Sequence, residues 1–79
     1  MNANIQKIID VANELQCRGR TSASTGEHIA AAFVLNKMEC LPANYRDVVE
    51  AWERLDDWQR YVHIIKRDHM ELINIPPWG

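Results

Sequence analysis

What is scarce in this sequence narrows it first. Its longest unbroken apolar run, Ile29 to Leu35, falls far short of the roughly 20 residues that a membrane-spanning helix needs. The first residues, MNANIQKIIDVANELQ, lack a basic segment followed by an apolar block and do not read as a secretory signal. Cysteine is limited to Cys17 and Cys40. Two thiols can close one disulfide but make no framework of the kind that staples small secreted domains. Free thiols and a cytoplasmic location are therefore the expectation, with no membrane partner.

Charge of a single sign is lacking too. Nine Lys and Arg stand against 11 Asp and Glu, a formal charge of −2, which gives no general attraction to nucleic acid or to an anionic bilayer. There are no internal repeats, low-complexity tracts or interdomain linkers. An apolar share of 47% over 79 residues is that of a globular chain. The expectation is a single domain over 1–79, near the size at which one core stands alone and buries about 60% of the unfolded surface.

Glycine and proline are also few, three of each, and their places divide the chain. Asn4 to Cys17 carries Ile5, Ile8, Ile9, Ala12 and Leu15 as one stripe at helical spacing. That helix should stop near Arg18-Gly19, since glycine is the usual residue just past a helix end. Arg18 and Arg20 then lie at its negative end. After the polar connection TSAST, Ser24 and Glu27 fit a capping box, in which each side chain accepts the other's free backbone N–H.

The second helix is expected over 26–40. In it Ile29, Ala30, Ala31, Ala32, Phe33, Val34 and Leu35 cover the whole circumference at about 100° per residue. A helix apolar all round is normally buried on most sides. A domain this small has trouble burying one alone, which points to self-association as a homodimer or to an obligate partner. Leu41-Pro42 should end it, and Asn44 is placed to cap the next helix, with Asp47 at its positive end.

From Asn44 to Ile73 there is no glycine and no proline. With Tyr45 at zero, Val48, Val49, Trp52 and Leu55 fall within about 60 to 80° of it on a helical count. Beyond Asp56 the apolar set Trp58, Tyr61, Val62, Ile65 and Leu72 centres near roughly 200°. Ordinary drift of about 20° per heptad does not produce such a jump. Two helices, 44–55 and 57–73, are expected, joined by a break at Asp56-Asp57 where Asp56 and Gln59 suggest a second cap; the alternative is one long kinked helix. Glu50–Arg54 and Asp56–Arg60 have i,i+4 salt-bridge spacing. The tail 74–79, NIPPWG, should be extended. The fold class is thus all-α, a bundle of about four helices near 4–17, 26–40, 44–55 and 57–73.

The residues that carry chemistry are sparse. Cys17, His28, Cys40, His63 and His69 include zinc-binding atoms, yet none has C-x-x-C or H-x₃-H type spacing. No sequence context activates either thiol, and Asp56-Asp57 reads as a solvated helix start. No catalytic residue, metal or cofactor is expected. The loop CRGRTSASTGEH sets Arg18 and Arg20 before a helix N-terminus, an anion-friendly placement, without the P-loop pattern.

Nucleic-acid binding is the alternative. In a helix-turn-helix reading the presumed recognition helix, NYRDVVEAWERLDD, holds five acids against two Arg, a charge that phosphate repels. The basic candidates are Arg60, His63, Lys66 and Arg67 on the last helix. Trp, Tyr and Arg are the usual anchors of protein interfaces. Phe33 and Trp52 read as core, whereas Trp58, Tyr61, Ile65 and Trp78 form the expected interface. The expected function is a non-enzymatic interaction module, an adaptor or inhibitor binding another protein. A short chain without chemistry fits an accessory factor of a phage or mobile element.

Overall fold

The computed structural model describes residues 2–73; the tail expected over 74–79 lies outside them. Helix α1 (Ala3–Arg18) starts where Asn2 Oδ1 accepts the Asn4 N–H at 2.7 Å. It ends as expected at Gly19, whose φ of 73° needs a residue without a Cβ to be unstrained. Helix α2 (Thr25–Leu35) begins at the Ser24–Glu27 capping box, both hydrogen bonds of which are formed.

Helix α2 stops five residues earlier than 26–40 implied. Asn36 takes the left-handed conformation, φ 56°, one of the few non-glycine residues to do so readily. The Lys37 N–H then reaches back to Ala32 O at 3.0 Å and the Asn36 N–H to Phe33 O at 3.1 Å, the Schellman closure of a helix end. Cys40 lies instead in a 3₁₀ turn, Met38–Cys40, held to α2 by His28 Nε2 against Cys40 O at 2.6 Å.

The third helix also begins late. Asn44 does not cap it: the chain turns through a Tyr45 N–H to Pro42 O bond of 2.9 Å. Asp47, whose carboxylate accepts the Glu50 N–H at 3.0 Å, caps α3 (Val48–Leu55). The break expected at Asp56-Asp57 is present. Asp56 has φ 51° and a 3₁₀ turn, Asp56–Trp58, leads into α4 (Gln59–Asp68). Asp56 makes no side-chain cap there. Gln59 Nε2 donates instead to Trp52 O at 2.9 Å, satisfying a carbonyl at the end of α3. Helix α4 ends at Asp68, short of Ile73, and a last 3₁₀ turn, Met70–Leu72, is tied to α1 by Asn13 Nδ2 to Leu72 O at 3.1 Å.

The all-α class is therefore correct. No strand occurs among the described residues, and no helix among them is long and apolar enough to cross a membrane. Helix α2 is the centre, packed on α1, α3 and α4, while α1 also meets α4. Ile29, Ala30, Ala31 and Ala32 are all 0% exposed. The three alanines let neighbouring helices approach from every side. One chain thus buries Ile29, Ala30, Ala31, Ala32 and Val34 unaided and leaves Phe33 and Leu35 half-buried, so most of this helix needs no partner to cover it. The Cα radius of gyration, 11.4 Å, matches the roughly 11.6 Å that the scaling for compact chains gives at this length. No buried side-chain nitrogen or oxygen among the described residues lacks a hydrogen-bond partner.

Candidate functional site

Two aromatic groupings meet at α4: Trp58 with Tyr61, and Phe33 of α2 with Trp52 of α3 and His63 of α4. Trp58 and Tyr61, expected at an interface, are half-buried in an edge-on contact with ring centroids 6.0 Å apart. Trp58 lies over Gly26, where a Cβ would stand 3.9 Å from the indole ring. The Tyr61 hydroxyl accepts from Asn4 Nδ2 at 3.5 Å. Both side chains thus pack at the seam between α4 and the starts of α1 and α2, where Trp58 also lines an open hollow with Ser24, Thr25 and Arg54. Ile65 is 0% exposed and belongs to the core. It offers no surface, because the buried stripe of α4 runs through it and Val62. Trp78 lies outside the described residues.

The second pair was expected inside. Phe33 and Trp52 meet edge-on at 5.0 Å, and Trp52 meets the His63 ring edge-on at 5.5 Å. Neither Phe33 nor Trp52 is fully buried. With Val62, Lys66 and Arg67 they line an open depression of about 610 Å³ between the end of α2, α3 and α4. Its floor is apolar and its α4 wall is basic.

Helical spacing extends the floor. Val48 and Val49 stand one turn before Trp52 on α3, at i−4 and i−3, and so adjoin it on the helix surface. They are 44% and 65% exposed, although their phase groups them with the apolar side of α3. Two features expose them. Helix α3 begins only at Val48, so Tyr45 is not part of its stripe, and its core-facing residues are Ala51 and Leu55 alone.

The four basic candidates on α4 share its exposed side but are not equally free. Lys66 Nζ donates to Asn36 Oδ1 at 2.5 Å and to Phe33 O at 3.3 Å, capping the C-terminus of α2. Arg67 holds Asp68 through Nε and a second nitrogen at 2.8 Å, and that hydrogen-bonded guanidinium keeps the carboxyl below the usual carboxylate range. Both side chains are largely solvated, so the pair adds little stability. Arg60 Nε donates to Asp57 O at 3.2 Å. Among the described residues neither Glu50–Arg54 nor Asp56–Arg60 closes as an ion pair.

Arg18 and Arg20 belong elsewhere. They flank a separate hollow with Glu14, Thr21 and Ser22, where the Thr21 hydroxyl donates to the Glu14 carboxylate. An acid already occupies that anion-friendly loop, and the two arginines do not join the α4 face. Cys17 is exposed, Cys40 half-buried, and they form no disulfide. Burial, and then the Glu39 carboxylate, push the Cys40 thiol above its ordinary range, with Lys37 opposing. Among the described residues no cluster of three His, Cys, Asp or Glu could hold a metal ion.

The residues that sequence reasoning missed are Val48 and Val49, together with the openness of Phe33 and Trp52. A signal existed: Asp47 is as good an N-cap as Asn44, and starting the helix there strands both valines in its first turn. Comparison with known proteins finds no family model, curated protein or solved structure that matches this chain.

Proposed function

We propose that the protein is a non-enzymatic interaction module whose working surface is the groove of Phe33, Trp52, Val62 and His63, extended by Val48 and Val49. The observation that carries this reading is the pairing of an apolar, aromatic floor with one basic wall on the rigid core-forming helices. Such a groove suits an amphipathic helix that presents apolar anchors at i and i+3 or i+4 beside acidic residues. Aromatic anchors concentrate binding energy, and His63, Lys66 and Arg67 set orientation and steer encounter.

The test is selection from a displayed library of helical peptides, followed by affinity measurement on exposed-site variants. Enriched peptides should share apolar residues one turn apart flanked by Asp or Glu. They should bind Val49→Asp and Arg67→Glu about tenfold or more weakly, the size expected for a lost interface contact. Peptides that bind both variants as well as the wild type would remove this reading. So would duplex DNA binding that falls steeply with salt and disappears in Arg67→Glu, in the absence of any enriched peptide.

A further inference from the structure

We infer that the helix seated in this groove is α3 of a second copy of the chain, related by a two-fold axis passing near Trp52. This inference rests on the groove reading above and names its occupant.

The chain displays both halves of the contact side by side. The groove asks for a short helix with exposed apolar anchors and acids next to them. Helix α3 is that helix: Val48 and Val49 are 44% and 65% exposed, Glu50 and Glu53 are exposed beside them, and Asp47 is the exposed cap. On a helical count Glu53 follows Val49 by four residues and so sits one turn above it on the same face. The groove's other wall supplies the opposite charge through Lys66 and Arg67.

A surface holding a plug next to its own socket, and an acidic helix next to a basic one, is self-complementary. That is the requirement for an isologous contact, in which residue i meets j and j meets i and the assembly closes at two copies. Two antiparallel α3 helices crossing near Trp52 would each lay Val48 and Val49 on the partner's aromatic floor and Glu50 and Glu53 toward its basic wall.

A standard interface removes about 800 Å² per partner, so the contact would take up about one broad face of a body measuring 30 × 25 × 19 Å. The dimer contact would repeat twice, once for each groove.

The experiment is sedimentation or light scattering on the full chain from about 1 µM to about 1 mM, the span over which moderate affinities are read. The wild type should move from one 9.2 kDa chain to a mass of two. Val49→Asp, Glu53→Arg and Arg67→Glu should each keep their far-UV circular dichroism and weaken association by about tenfold or more. An equimolar mixture of Glu53→Arg with Arg67→Glu, and the double variant carrying both changes, should each recover the dimer. A wild type that stays monomeric across the range overturns the inference, as does a dimer indifferent to all three substitutions. If the wild type is monomeric while selected peptides still lose binding on Val49→Asp, the second copy is the wrong occupant and the groove reading stands. If both tests fail, both ideas fall.

Discussion

Two edge-on tryptophan contacts meet at α4 and differ in their surroundings. Trp52 on α3 meets His63 on α4, and Trp58 in the 3₁₀ turn before α4 meets Tyr61 on α4, with centroids 5.5 and 6.0 Å apart. Each would add about 0.5–1.5 kcal/mol beyond the area it buries. Trp58–Tyr61 packs against the starts of α1 and α2, with the indole lining a smaller hollow beside Ser24, Thr25 and Arg54, whereas Trp52–His63 lines the larger groove. The difference comes from their neighbours. The Trp58 indole packs beside Gly26, where a Cβ would make only an ordinary contact at 3.9 Å, while Tyr61 is reached by Asn4. Trp52 sits on the shortest helix, of which only Ala51 and Leu55 enter the core.

The strongest test of that contrast removes what both pairs stand on. Ile65 is fully buried on α4, and Ile65→Ala should cost about 2–5 kcal/mol, as for buried isoleucines elsewhere. Denaturant melts should show one transition, with the near-UV signals of both tryptophan regions lost together. Retention of one signal through the loss of the other would mean that the two sides of α4 are separately stable.

Next come single substitutions that separate the pairs. Trp58→Ala removes a half-buried ring from the seam and should destabilise by about 2 kcal/mol, less than the ~3–5 for a fully buried tryptophan. Val49→Asp, at the edge of the open groove, should stay within about 0.5 kcal/mol of the wild-type monomer. Equal effects in thermal melts would erase the distinction between seam and groove.

A smaller effect is expected at the hinge between α3 and α4. Asp56 holds φ 51° and ψ −122°, a combination that favours glycine. Asp56→Gly should relieve about 1–3 kcal/mol of strain and lose roughly 0.5–1 through added chain entropy in the unfolded state. A net stabilisation near 1 kcal/mol follows from those two magnitudes. Destabilisation would show that the Asp56 side chain contributes more than its backbone conformation costs.

The smallest effect is the titration of Cys40. Its thiol is pushed upward by burial and by Glu39, so the folded chain holds that proton more tightly than the unfolded chain. The resulting stability is complete below the ordinary thiol range and is lost as pH rises through the higher folded value. Alkylation of Cys40 should be slower than that of exposed Cys17 at neutral pH, and the gap should narrow as pH rises toward the folded value. Equal rates at neutral pH would contradict the burial of Cys40.

Much of the fold was legible because local signals acted without competition. Gly19, the Ser24–Glu27 box and the phase jump at Asp56 each work over one turn of helix, and each is realised where the residues place it. Boundaries failed where two acceptable local choices competed. Asn36 and Leu41-Pro42 both end helices, and the Schellman bonds of Asn36 and Lys37 came first. Asn44 and Asp47 both cap, and the turn at Pro42–Tyr45 left the position to Asp47. That shift of a single helix start exposed Val48 and Val49.

The amino-acid order alone determined that this chain is all-α, where its helix α1 ends, where α2 starts, and that Asn44–Ile73 breaks at Asp56. Tertiary packing decided the rest: that α2 is packed by α1, α3 and α4 of its own chain, that Ile65 turns inward, and that Phe33, Trp52 and Trp58 are each left half-buried. The physical reason is range. Caps, glycine conformations and helical phase are settled by backbone groups within a few residues of one another. Which apolar face remains uncovered depends on how far each neighbouring helix extends, a sum over contacts distant in sequence that no local pattern records.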